Sequence, residues 1–263
     1  MLLKGKTALV IGGGQTPGET IGNGRATAVQ FAREGAKVLV ADRDLESAEE
    51  TVAMIRAENG SARAQCVDIA DEAAIEACVE TMIASFGHID ILHNNVGISL
   101  SGGDQPIEEI DSEAFDRLVD VNLRGMILTC KHVIPHMRQR NQGAIINISS
   151  MAAWAPYPLV GYKTTKAGVI ALTEQLAYTN ARYNIRANVI LPGLMNTPMA
   201  IENRITEKSP REQVVAERDK RVPLGNKMGT AWDVAHAAVF LASDRAGFIT
   251  GVSLPVDGGA NVC

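Results

Sequence analysis

Thr7-Ala8-Leu9-Val10-Ile11-Gly12-Gly13-Gly14-Gln15-Thr16-Pro17-Gly18-Glu19-Thr20-Ile21-Gly22-Asn23-Gly24-Arg25 is the stretch whose reading decides the fold. Residues 7–11 are apolar without a polar alternation, which suits a strand covered on both faces. Glycines follow at once, and Arg25 to Arg33 carries apolar residues at helical spacing. A strand that passes through glycines into a helix lets the backbone approach a pyrophosphate, whose charge rests at the helix N-terminus. Turns use glycine too, so the loop needs company. The next strand, Lys37 to Ala41, supplies it, because Asp42 stands at its carboxyl end, about twenty residues past the glycines. A carboxylate there can accept hydrogen bonds from an adenosine ribose, and it can also cap the helix that begins near Leu45. Its place after a buried strand favours the ribose.

Outward from this unit, strands and helices alternate to the end. Helix 45–58, strand 62–67, helix 71–86 with Gly87 as C-cap, and strand 89–93 come first. A loop at 98–110 follows, then a long helical stretch at 112–139, strand 143–149, helix 160–181, strand 185–191, helix 230–242 and strand 252–256. The pattern predicts an α/β fold: one doubly wound domain over residues 1–263, with a parallel seven-stranded sheet and helices on both faces. Residues 198–228 are polar, charged and interrupted by Pro198, Pro210 and Pro223, and read as a substrate lid with short helices.

Composition sets bounds. At 263 residues, 46% hydrophobic and 21% charged, the chain suits a soluble cytoplasmic protein. A net charge of −5 gives no basic field for nucleic acid. No apolar run is long enough for a membrane span, and the N-terminus is too short and charged for a signal peptide. The cysteines are scattered as for reduced thiols. His132 and His136 have helical spacing, but Pro135 lies between them and no acidic residue is adjacent, so no metal site is expected.

Chemistry concentrates at residues 147–166: Asn147-Ile148-Ser149-Ser150, a short loop, then Tyr162-Lys163-Thr164-Thr165-Lys166. Tyr162 and Lys166 are four apart, on one face of a helix. A free tyrosine titrates at about 10; a lysine ammonium beside it favours the phenolate. With a serine hydroxyl from a neighbouring strand end, such a pair can move a proton on and off a carbonyl or alcohol oxygen. Asn122, a mildly unfavourable residue inside a helix, hints at a polar task.

Taken together, these motifs resemble the short-chain dehydrogenase/reductase family over nearly the whole chain. The matching pieces are the glycine loop at 12–24, Asp68, Asn94-Asn95-Val96-Gly97 in place of Asn-Asn-Ala-Gly, Asn122 and Ser149-Ser150. Tyr162 to Lys166, Pro192-Gly193 with Thr197, and Val256-Asp257-Gly258-Gly259 complete them. The resemblance implies a catalytic tetrad of Asn122, Ser150, Tyr162 and Lys166. Tyr162 exchanges the proton, Ser150 positions the reacting oxygen, Lys166 lowers the tyrosine pKa and holds the nicotinamide ribose, and Asn122 holds a relay water. It implies cofactor contacts at Gly12, Gly22, Gly24, Asp42, Asp68, Asn94, Gly97, Tyr162, Lys166, Pro192, Gly193 and Thr197, and a homotetramer with 112–139 and 160–181 between subunits.

Three departures stand out. The glycine loop is six residues longer than the family pattern if Gly12, Gly22 and Gly24 are its three glycines. Asn23 replaces a frequent isoleucine. Counting back the family's usual thirteen residues from Tyr162 lands on Ser149, yet Ser-Ser-x-Ala places the second serine, Ser150, at the catalytic point. The expected function is NAD-dependent hydride transfer between nicotinamide and a small or medium secondary alcohol or the matching ketone. Asp42 disfavours the extra phosphate of NADP, with Arg43 as the complication. Trp154, Tyr157, Leu159 and Met195 are expected to face an apolar or cyclic substrate. The rivals are an NADPH-dependent 3-oxoacyl thioester reductase and a non-catalytic nucleotide-binding regulator; the intact tetrad speaks against the second.

Overall fold

The computed structural model describes residues 1–262. Its centre is β1 (Thr7–Ile11), all five residues of which are buried. Ala8 and Val10 join one apolar core, and Leu9 and Ile11 join the other. A strand covered on both sides has no polar alternation to show, which is why its sequence is apolar throughout. Around it lie β2 (Lys37–Asp42), β3 (Ser61–Cys66), β4 (Ile91–Asn94), β5 (Gly143–Ile148), β6 (Ile185–Pro192) and β7 (Ser253–Val256). The order is β3-β2-β1-β4-β5-β6-β7, every neighbouring pair parallel. Strand order reverses between β1 and β4, and the crevice outside the carboxyl ends at that reversal is where ligands bind in such sheets.

One face of the sheet is covered by α1 (Asn23–Arg33), α2 (Leu45–Ala57) and, from the far end of the chain, Val234, Ala238 and Leu241. The other is covered by α3 (Glu72–Phe86), helical residues Cys130, Val133 and Met137, and Leu176 with Ala177. Helix starts follow local rules: Asp44, not Asp42, caps α2 by accepting from Ser47 N–H, and Asp71 caps α3. Gly87 ends α3 in the left-handed conformation at φ 85°. His132, without an acidic neighbour in sequence, meets one across the fold: Glu72 on α3 lies 3.0 Å from its Nε2.

The long helical stretch is not one helix. It divides into α4 (Ser112–Val119), a π-helical turn (Asp120–Arg124) and α5 (Gly125–Gln139). The π turn carries Asn122 into the interior, where it is fully buried. Then come α6 (Val160–Asn180), α7 (Pro198–Ile201), α8 (Arg211–Asp219) and α9 (Ala231–Ala242). Residues 198–228 hold α7, a short turn and α8 over a small apolar core of Ile201, Val214, Val222 and Met228.

Candidate active site

The carboxyl ends of the strands open into one cleft of about 1210 Å³. It runs from Asp42, Arg43 and Asp68, past the glycine loop, to Ser150, Tyr162 and Lys166, and then beneath residues 197–204, Arg218 and Arg221.

At the first end the backbone comes very close to itself. A Cβ on Gly24 would stand 1.8 Å from Gly12 O, and Gly12 itself has φ +76°, so neither position accepts a side chain. Gly22 is the N-cap of α1 with no side-chain cap. Its own N–H is taken by the Gln15 Oε1 at 2.9 Å. Thr16 lines the cleft, whereas the Thr20 hydroxyl and Asn23 Oδ1 are buried without partners. Asp42 lines the cleft and accepts from Gly14 N–H (2.9 Å) and Asp44 N–H (3.1 Å). Arg25 lies under the loop, committed to Ser47 and Glu50. Gly18 does not belong to the cradle: a Cβ there would meet Pro198 and Glu202 of the segment 198–228 at 2.9 Å. The next residue, Glu19, reaches toward Arg211, whose Nε is 3.3 Å from Glu19 Oε2 and 3.6 Å from Glu202 Oε1.

Asn94, expected to serve both the adenosine side and the sheet, serves the sheet: it is fully buried, does not line the cleft, and donates to Asn147 Oδ1 at 2.9 Å. It is the last residue of β4, so its side chain and that of Asn95 leave opposite faces. Asn95 lines the cleft, and its amide donates to Gly12 O at 3.1 Å. Asp68 is exposed at the cleft edge, with Oδ1 accepting from Ala70 N–H. Gly97, Pro192, Gly193 and Thr197 all line the cleft; a Cβ on Gly97 would come within 2.9 Å of Lys166 Nζ.

At the reactive centre the two serines separate. Ser149 is 1% exposed and its hydroxyl donates to Lys166 O at 2.6 Å. Ser150 opens the short turn Met151–Ala153 after β5 as its N-cap, accepts from Ala152 N–H at 3.1 Å, and its hydroxyl bears on the Tyr162 phenol. Burial pushes that phenol up to about 12, a hydrogen bond from Ser150 pulls it back, Tyr157 and Asp104 raise it, and Arg204 lowers it. Burial also pushes the Lys166 ammonium down to about 7. Lys166 Nζ donates to Ile148 O (3.0 Å) and Val96 O (3.3 Å), and lies 5.7 Å from the centroid of the Tyr162 ring. Burial is the largest influence on both groups, and the Lys166 ammonium, held by two carbonyls, stands over the Tyr162 ring.

Asn122 does not touch Lys166. Its amide clasps the backbone of Ile98, accepting from the N–H at 2.7 Å and donating to the carbonyl at 2.9 Å. The same amide donates to Thr165 Oγ1 at 3.2 Å. It thus fixes the loop after β4 against the helix that carries the tyrosine. Trp154 is 44% exposed and outside the cleft, because the turn after β5 directs it to the surface; Tyr157, Leu159 and Met195 line the wall.

Sequence reasoning missed Asp104. It is 1% exposed, and its carboxylate accepts from Gly161 N–H (2.8 Å), Tyr162 N–H (2.9 Å) and Ser99 Oγ (3.1 Å). It caps α6, whose own N-cap Leu159 offers no side-chain acceptor. An aspartate in a loop of Gly, Ser and Asp was the only available signal.

Comparison with known proteins agrees with this geometry. A family profile described as "Enoyl-(Acyl carrier protein) reductase" matches residues 19–261. The chain is 38% identical to 2,5-dichloro-2,5-cyclohexadiene-1,4-diol dehydrogenase LinX of Sphingobium indicum, over 99% of this chain and 98% of that one. It is also 38% identical to 3beta-hydroxysteroid dehydrogenase 1 of Eggerthella lenta, over 98% of this chain and 94% of that one. The crystal structure of levodione reductase superposes with TM-score 0.91 at 33% identity, covering 99% of each chain. The chain belongs to the short-chain dehydrogenase/reductase family, whose members are nicotinamide-dependent oxidoreductases of alcohols and ketones.

Proposed function

We propose that this protein is an NAD-dependent dehydrogenase of secondary alcohols, or reductase of the matching ketones, with Tyr162 as acid and base. The observation that carries the reading is the meeting of Ser150, Tyr162 and Lys166 in the same cleft as Asp42 and the glycine cradle. Several features suit a dinucleotide. The glycines leave no room for side chains where a pyrophosphate would lie, and α1 opens on the cleft uncapped, with its first backbone N–H groups toward it. Gly12, Gly22 and Gly24 would hold the phosphates, Asp42 and Asp68 the adenosine, Lys166 the nicotinamide ribose, and Gly97, Pro192, Gly193 and Thr197 the nicotinamide end. Asn95 takes the place first given to Asn94.

When bound, the nicotinamide supplies or accepts the hydride at C4. The chain's own groups manage the oxygen. Ser150 holds it against the phenol, and Tyr162 takes its proton in oxidation or returns it in reduction. Lys166, titrating near 7, can receive that proton. Asn122 keeps Ile98 and Thr165 in place around the pair. Tyr157, Leu159 and Met195 suit an apolar or cyclic body, and residues 198–228 serve as the lid. We place the enzyme in the cytoplasm as a homotetramer, and no described helix is long and apolar enough to cross a membrane.

For the cofactor, Asp42 decides. A 2′-phosphate would meet its charge, and like charges in partly screened settings cost on the order of 1 to 4 kcal/mol. Arg43 lines the same cleft and favours the second reading, an NADPH-dependent 3-oxoacyl thioester reductase. The test is kcat/KM with NAD and NADP in wild type and Asp42→Ala. Wild type should prefer NAD, and the alanine variant should move toward NADP. A wild-type preference for NADP would select the second reading.

A further inference from the structure

We propose that the substrate carries an anionic head, a carboxylate or a phosphate-like group, and that Arg204, Arg218 and Arg221 of the lid bind it. This rests on the alcohol/ketone reading above and adds the substrate's charge to it.

All three arginines line the cleft that holds Tyr162. Arg204 follows α7, Arg218 lies in the last turn of α8, and Arg221 comes just after it. None of the three forms an ion pair among the described residues. Three carboxylates of the same segment are engaged elsewhere, and none of the segment's carboxylates pairs with the three arginines. Glu202 lies toward Arg211, Glu217 accepts from Gln213, and Asp219 accepts from the backbone N–H of Met228 at 2.8 Å. The cleft's own lining carboxylates, Asp42, Asp44 and Asp68, are all at the adenosine end.

The cluster is also underused as a donor set. Arg204 has one hydrogen bond, from Nη1 to Ala200 O at 2.8 Å. Arg218 Nε is buried with no partner at all. Burial first, and then the neighbouring Arg204 and Arg221, pushes the Arg218 guanidinium down to about 10. Arg218 is partly desolvated with two like charges beside it, an arrangement that an anion would relieve. A guanidinium fork matches carboxylate and phosphate oxygens in pairs, and the cluster presents three. Arg204 is close enough to Tyr162 to stabilise its phenolate. The anionic head therefore belongs to the molecule whose carbinol meets Tyr162, not to a 2′-phosphate at the distant adenosine end. With Tyr157, Leu159 and Met195 lining the same cleft, the substrate is an apolar body that carries both an alcohol and a charge.

The experiment pairs acids with their esters. Wild type, Arg218→Gln and Arg221→Gln are assayed with both cofactors. The alcohols are 3-hydroxybutanoate, 4-hydroxypentanoate and 2-hydroxycyclohexanecarboxylate, each beside its methyl ester, and 2-hydroxypropylphosphonate beside its dimethyl ester. Malonate and inorganic phosphate are titrated into the same proteins by calorimetry. In wild type the acid should exceed its ester in kcat/KM by tenfold or more for at least one pair. Each substitution should lower that ratio roughly 10- to 100-fold, the value of a charge-assisted hydrogen bond. The KM for the acid should rise with salt. The better of malonate and phosphate identifies the head group, and either variant should weaken its binding. Arg221 is exposed, so its variant stands in if Arg218→Gln does not fold. Esters preferred in every pair, or a ratio unmoved in both variants, overturns the proposal and leaves the alcohol/ketone reading intact. If no alcohol is oxidised with either cofactor, the alcohol/ketone reading fails. The calorimetry then still decides the arginines: anion binding that is absent, or equal in all three proteins, overturns them.

Discussion

Tyr162 is a poor acid in the protein as it stands: burial holds its phenol up to about 12. Any group that makes the phenolate easier must do so at the moment of reaction, and Ser150 and Arg204 already act in that direction. Tyr162→Phe keeps the ring and loses only the hydroxyl. Turnover should fall by roughly 100- to 10,000-fold, the usual worth of a positioned acid–base group, with the cofactor dissociation constant nearly unchanged. Oxidation should quicken as pH rises, because the base is the deprotonated form, and the slope should vanish in the Phe variant; stopped-flow single turnovers would read both. Asp104 is the second residue to test. Its carboxylate accepts three hydrogen bonds in a buried setting, two from the first turn of α6. Asp104→Ala should cost about 1 to 3 kcal/mol in urea unfolding and lower kcat by tilting the tyrosine. Asp104→Asn, which keeps one acceptor, should recover part of each. The tyrosine–lysine pair was legible because four-residue spacing on a helix fixes a shared face. Asp104 was not, because its partners are 57 and 58 residues away and no local pattern encodes a cap from that distance. Asn94 misled for a related reason: at a strand end one position decides which face a side chain leaves.

Among the elements, those with both faces or one stripe against a core could be read directly. β1 and β2 are continuous apolar runs, α3 has its capping Asp71 and terminal Gly87, and the alternation of such units implies the parallel order found. The π turn inside 112–139 was invisible, since an extra residue in one turn leaves the helical composition unchanged on both sides. The arginine cluster of the lid was equally hidden, because Arg204 and Arg218 are brought together by packing of two short helices and not by periodicity. β4 carries one misfit. His93 is fully buried, both ring nitrogens lack partners, and its ring packs edge-on to Phe31 with centroids 5.8 Å apart. Burial pushes its pKa down to about 3 from 6.5. The unfolded chain therefore binds a proton that the folded one refuses between those values. The histidine's contribution is intact above pH 6.5 and is lost as pH falls toward 3. His93→Leu should remove this acid sensitivity: its unfolding free energy should match or exceed wild type at pH 7, and the gap should widen on acidification. Equilibrium urea titrations at several pH values would show it, and an equal pH slope in both proteins would count against it.

At the scale of the whole molecule, several large apolar side chains stand in solvent. Tyr178 on α6 is 88% exposed, Ile127 on α5 is 43% and Phe240 on α9 is 40%, while Phe248 is fully exposed. Residues of this kind on helices flanking the sheet fit the proposed homotetramer. Sedimentation equilibrium should give four times 28.0 kDa, and Tyr178→Glu with Phe248→Glu should yield smaller species that still bind cofactor. A tetramer that survives both charges would place the interfaces elsewhere. A single side chain also joins the lengthened glycine loop to the segment 198–228. Arg211 Nε lies 3.3 Å from Glu19 in the lengthened glycine loop and 3.6 Å from Glu202 at the lid, without hydrogen-bonding to either. It is an ion-paired clasp with hydrogen-bonding capacity to spare. A ligand that orders the loop draws Glu19 closer and so draws the lid, and reciprocity requires that a ligand under the lid tighten the loop by the same free energy. Such coupling predicts ordered kinetics, the dinucleotide entering first and leaving last, and product-inhibition patterns would check it.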